Sequence, residues 1–190
     1  MRISFAAIAL AATFVSGVAM AEPVTYVLDS SHSFARFGYT HMGLSTQAHK
    51  FDKTTGTVVL DAAAKTGSVD VVIDMKSVNT GSTVFNGHIQ GDDFLSTEKF
   101  PTATFKSTKV NFVGDKPATV DGNLTIKGVT KPVTLTVNSF VATVHPMAKK
   151  EAVGADASVT IKRSDFGAGK YAPAVSDDVV ITVSVEALKQ

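Results

Sequence analysis

Apolar and polar side chains alternate with a period of two over most of this chain. Val69, Val71, Ile73 and Met75 alternate with Asp70, Val72, Asp74 and Lys76. Val120, Gly122, Leu124 and Ile126 alternate with Thr119, Asp121, Asn123 and Thr125. The same period runs through Val133, Leu135, Val137 and Ser139, through Ala155, Ala157, Val159 and Ile161, and through Val179, Ile181, Val183 and Val185. One apolar and one polar face along each segment predicts antiparallel strands around a single interior. Further strands are expected at 25–28, 33–41, 56–60 and 103–113, for a total of about eight or nine. Turn-forming residues separate them: Asp29-Ser30-Ser31, Lys65-Thr66-Gly67 and Gly114-Asp115-Lys116-Pro117. Lys127–Pro132 reads as a tight hairpin with Gly128 at positive φ, and Pro132 belongs at a strand start or on an edge.

The pattern breaks once, over Ser77–Ser107. That stretch holds the turn signal Asn79-Thr80-Gly81, His88, the pair Asp92 and Asp93, and the aromatics Phe85, Phe94 and Phe100. The only helical candidates lie within it, between Val84 and Lys99. An insertion of this kind in an all-β chain covers or builds a site. The fold class is therefore all-β: an antiparallel up-and-down barrel or a sandwich, with a short helical insertion. Val, Ala and Gly dominate the apolar positions, and Trp is absent. Such small inward residues favour a barrel with an unfilled interior, since an eight-stranded barrel either packs side chains inside or holds one ligand. A dry packed core is the alternative.

The N-terminus adds a compartment. Arg2, an apolar run from Ile3 to Val18 and Ala19-Met20-Ala21 have the form of a secretory signal peptide, residues 1–21. Cleavage leaves 169 of the 190 residues, enough for one domain (22–190), and no later segment is long and apolar enough for an integral membrane span. An exported chain with no cysteine points to the bacterial periplasm. Without Arg2 the charged side chains balance at 17 basic and 17 acidic, so nucleic acid is a poorly supported partner. Without HExxH, H-x-H or cysteine clusters, no metal site is expected, and no other cofactor. No G-x-S-x-G elbow or comparable nucleophile context is present, so no catalytic residue is assigned. His32 is expected to bond nearby backbone, and His49 and His145 to lie on the surface. Arg163 and Asp165 suggest a structural pair or loop anchor.

Several motifs occur in an order that resembles the YceI-like family of periplasmic, lipocalin-like proteins. They are Leu28-Asp29 with Ser31-His32-Ser33 and Phe37, His41-Met42-Gly43, Ser77-Val78-Asn79-Thr80, His88 with Asp93-Phe94-Leu95, Phe100-Pro101 with Ala103-Thr104-Phe105, the hairpin Gly122–Val133, and Arg163-Ser164-Asp165-Phe166-Gly167. The resemblance implies an up-and-down lipocalin-like barrel of about eight strands and a long-chain lipid ligand, a polyisoprenoid or similar amphiphile. Val71, Ile73, Leu124, Ile126 and Leu135 would then line the ligand tunnel. His41, Phe85, His88, Asp93 and Phe94 would form its mouth. The family's Arg-Asp pair before His88 is replaced by Asn86-Gly87, which implies a less charged head group. Two other classes stay open: an enzyme acting on a lipid or quinone-like substrate with His41 or His88 as general base, and a stress or interaction protein with an incidental cavity. Oligomeric state is not legible.

Overall fold

The computed structural model describes residues 22–190; the expected signal peptide, 1–21, lies outside them. The strands are β1 (Val24–Leu28), β2 (Phe34–His41), β3 (Ser45–Phe51), β4 (Thr54–Asp61), β5 (Thr66–Asp74), β6 (Val78–Asn79), β7 (Thr102–Val113), β8 (Lys116–Ile126), β9 (Val129–Val144), β10 (Glu151–Lys162) and β11 (Asp178–Lys189). One helix, α1 (Thr83–Gln90), falls inside the Ser77–Ser107 insertion. Ser82 caps it by accepting a hydrogen bond from the Phe85 amide.

Eight of these strands close an antiparallel barrel in the order β1-β4-β5-β7-β8-β9-β10-β11, with β11 pairing back onto β1. β11 also pairs with β2, from which β3 and β6 extend beside one end of the barrel. At that end, here called the upper end, stand α1, the β2–β3 turn and the β10–β11 loop. The β4–β5, β7–β8 and β9–β10 turns form the lower end.

β3 is a strand that the period-two pattern does not announce. Its sequence, STQAHKF, has no apolar alternation, yet it pairs with β2 from Ser45 to Lys50. Its buried positions are His49 and Phe51, and a histidine facing inward hides the signal. His49 is thus a buried residue, where a surface position was expected.

Bulges change the phase of three strands. Ser107 and Lys109 pair with consecutive residues of β8, leaving Thr108 extra, and Ala118 is extra in β8. On β9, Asn138 is extra between Val137 and Ser139. The inward face therefore passes from Val133, Leu135 and Val137 to Phe140, and Ser139 turns outward to bond Asp156. Alternation alone had placed Ser139 on the apolar face.

The Lys127-Gly128 link has both residues at positive φ, 53° and 76°, between the paired Ile126 and Val129. This is the backbone of a two-residue hairpin turn. Pro132 sits four residues into β9, opposite Asn123. β10 joins β9 only from Thr136 onward, so the flank of β9 at Pro132 is locally an edge.

Candidate functional site

The inward faces of the strands enclose a cavity of about 750 Å³. Val71 and Ile73 of β5, Leu124 and Ile126 of β8, and Leu135 of β9 all line it. On β10 the lining narrows to Ala155 and Ala157 in mid-strand, flanked by Val137 of β9 and Val183 of β11. These inward side chains of β9 and β10 are only half-buried, because they face a hollow and not one another. Large residues there would have closed it.

Apart from Ser68 beside the β4–β5 turn and Arg36 on β2, the polar side chains of the lining gather at the upper end. Tyr39 and His41 come from β2, His88 from α1 and Arg163 from the turn after β10. Tyr39 is buried, and burial raises its pKa, so its hydroxyl keeps its proton and can donate. His49 stands behind it with Nε2 3.4 Å from that hydroxyl. The His49 Nδ1 is buried without a partner, and burial holds the ring's pKa below its ordinary value. Neither His41 nor His88 has a side-chain hydrogen bond among the described residues that would orient it as a base.

Arg163 organises the rim. Its Nε donates to Ser176 O at 2.8 Å, Nη1 to Lys170 O at 2.8 Å and to Ala168 O, and Nη2 to Val175 O at 2.8 Å. Four of its five N–H groups thus hold the β10–β11 loop by its carbonyls. The anchoring role expected of Arg163 is present, but the pairing with Asp165 is not; Asp177 instead engages the Ser164 amide and hydroxyl. Burial lowers the guanidinium's pKa, while nearby Asp177 and Tyr39 oppose the shift.

Aromatic rings continue from the wall to the surface. Phe37 meets His49 at 5.5 Å between centroids, His49 meets Phe85 at 5.5 Å, Phe85 meets His88 at 6.3 Å, His88 meets Phe94 at 5.7 Å, and Phe94 meets Tyr171 at 6.0 Å. Phe85, His88 and Phe94 of the expected mouth therefore lie together. Asp93 lies outside the lining, in an exposed ion pair with Lys170. Asn86 is structural: its Oδ1 accepts from the Thr80 amide at 2.8 Å and the Thr80 hydroxyl at 2.7 Å. His32 bonds the side chains of Asp29 and Ser31, where a backbone contact was expected.

Sequence reading missed Tyr39, His49 and Tyr171 as parts of this site. Tyr39 sits on the inward parity of β2 with Ala35 and Phe37, a signal that was available. Tyr171 belongs to a loop whose position depends on Arg163, and no local pattern marks it.

A family model described as the YceI-like domain matches residues 26–187. A UPF0312 protein of Pseudomonas aeruginosa is 35% identical over 192 residues, covering 100% of both chains. Among solved structures, Burkholderia cenocepacia BcnA superposes with a TM-score of 0.73 at 28% identity, over 84% of this chain and 99% of that one. A domain from Saccharophagus degradans, described as polyisoprenoid binding and implicated in plant cell wall breakdown, superposes at 0.64 with 23% identity, over 88% and 99% of the two chains.

Proposed function

This chain belongs to the YceI-like family, and from that premise we propose that it carries a long-chain amphiphilic lipid, a polyisoprenoid, inside its barrel. The tail occupies the apolar hollow, and the head lies among Tyr39, His41 and His88 at the upper end. The carrying observation is the apolar cavity of about 750 Å³, lined by inward side chains of the closed barrel. At about 30 Å³ per water-sized group, it accommodates on the order of 25 non-hydrogen atoms. Each buried methylene contributes about 0.8 kcal/mol. A tail of roughly 20 carbons therefore outweighs an association cost of about 4–15 kcal/mol. The polyisoprenoid-binding description of the Saccharophagus domain agrees with this choice of ligand, although that likeness speaks to fold alone.

The rim favours an uncharged head. Arg163 is engaged by four carbonyls, Lys170 by Asp93, and the position of the family's Arg-Asp pair is held by Asn86-Gly87. The role is carriage or shielding of an insoluble molecule, with no bond made or broken, in the periplasm to which the N-terminal signal directs it. Lipid extraction and mass spectrometry of protein released from its native cells by osmotic shock tests both parts. One long-chain amphiphile near equimolar ratio is expected in the shock fluid. Protein found there without lipid overturns carriage, and protein retained in the cytoplasm overturns the compartment.

A further inference from the structure

The exposed part of the cavity lining lies at one end. The lining residues that are also exposed are Met42, His88, Tyr171, Ala172, Pro173 and Ala174, all at the upper end. Lining residues toward the lower end, such as Gly67, Val110, Pro117 and Phe140, are at most half-exposed. Two large apolar side chains flank the opening without entering it: Leu44 on the β2–β3 turn, 83% exposed, and Val84 on α1, 87% exposed. Met42 is 59% exposed and Tyr171 52%. The turn bearing Met42 and Leu44 is held against the β10–β11 loop by the Met42 amide, which donates to Ala174 O at 2.7 Å. These side chains thus form an apolar collar on three separate elements, continuous with the apolar wall inside.

The charges beside the collar balance: Arg163 and Lys127, which donate to loop carbonyls, stand with Asp165 and Asp177, and the rest are ion-paired. Asp92 has Lys99, Asp93 has Lys170 and Asp178 has Lys162. Such a surface has no excess of either sign, which suits a zwitterionic lipid surface and neither selects nor rejects an anionic one. A tail of about 20 carbons is too insoluble to reach the cavity efficiently through water.

We propose that the collar of Met42, Leu44, Val84 and Tyr171 docks on the surface of a lipid bilayer, so that ligand passes between membrane and cavity without crossing water. Docking is by shallow apolar insertion and is insensitive to salt, unlike adsorption through a basic patch. Transfer is then collisional, with a rate proportional to vesicle concentration. The inference rests on the lipid-carrier reading for its purpose, but the docking surface is testable without any ligand.

Two measurements on the full mature chain decide it. Flotation with vesicles of phosphatidylcholine and phosphatidylethanolamine reads docking directly. Transfer of a fluorescently tagged C20 prenol to the same vesicles reads the route. The double variant L44D/V84D changes two exposed positions, and Asp in the first turn of α1 agrees with the helix dipole, so the fold is retained. The variant is expected to float about tenfold less and to transfer about tenfold more slowly, with equilibrium retention of the prenol unchanged. The control V144D/M147D places the same charges on two of the exposed apolar residues of the lower end, where Val113 and Val141 are exposed as well, and is expected to change neither reading. A transfer rate independent of vesicle concentration, absence of flotation, or equal loss in the control overturns the docking surface. Loss of prenol retention by the unmodified chain would instead strike the carrier reading, leaving flotation as a valid test of the collar.

Discussion

Replacing Ala157 with phenylalanine separates a hollow barrel from a packed one by the sign of the change in stability. Ala157 points inward from the middle of β10, half-buried, between Val137 and Val183. In a filled core, Ala→Phe overpacks and costs about 1–3 kcal/mol. Here the ring enters a space of about 750 Å³ and buries its own apolar surface against the lining. Burial of a side chain of that size contributes about 1.5–3 kcal/mol, offset in part by rotamer entropy, so stability is expected to hold or rise by about 1 kcal/mol. Ligand affinity moves the other way. The substitution adds six carbons to the cavity and displaces roughly as many from the tail. At about 0.8 kcal/mol each the loss reaches an upper bound near 5 kcal/mol, or between about three and four orders of magnitude in Kd. Urea unfolding of the ligand-free protein reads the first quantity, and titration with a fluorescent C20 prenol reads the second. Destabilisation by more than about 1 kcal/mol with prenol binding intact would refute the hollow interior as the binding site.

Gly128→Val is expected to cost about 2–4 kcal/mol, read as a lower thermal midpoint, because φ is +76° and a Cβ would fall 2.7 Å from the Phe100 ring. An unchanged midpoint removes the close approach as the reason for glycine. Arg163→Met strips four carbonyls of the β10–β11 loop of their donor and is expected to cost about 2–4 kcal/mol, with faster proteolysis within 168–175. Arg163→Lys rescues it only in part, since one ammonium cannot span the fork. His49 titrates below its ordinary pKa of 6.5 because it is buried, so the unfolded chain takes up a proton more readily than the folded one. Its contribution to stability is complete above about pH 6.5 and declines as pH falls through the window below it. Urea midpoints between pH 8 and 5 should show this decline, and His49→Phe should flatten it. An identical slope in the variant assigns the acid sensitivity elsewhere.

Each strand with one apolar face was legible as such, because inward and outward residues differ in chemistry at every second position and the signal is local. β5, β8 and β11 show this plainly, and the Lys127-Gly128 turn announced itself by glycine. The helix appeared where the period failed. Val71, Ile73, Leu124, Ile126 and Leu135 were legible as inward by parity, and they line the cavity; their role in a ligand tunnel came only with the family resemblance. The motif order carried the rest of the fold assignment.

Tertiary structure decided what local chemistry cannot encode. Strand β3 is recognisable only through its pairing with β2, since it places His49 inward. The bulges at Thr108, Ala118 and Asn138 reverse facing within a strand, and an extra residue carries no mark of its own in sequence. Whether the interior is hollow depends on the summed volume of side chains from eight strands that meet only when the barrel closes. Asp93 moved from the expected mouth to an ion pair with Lys170, a residue 77 positions away, and Tyr171 entered the site on a loop held by Arg163. The alternation along this chain determined that there would be an apolar interior, and closure of the barrel decided that it would be hollow, because only there do the inward side chains of eight strands meet.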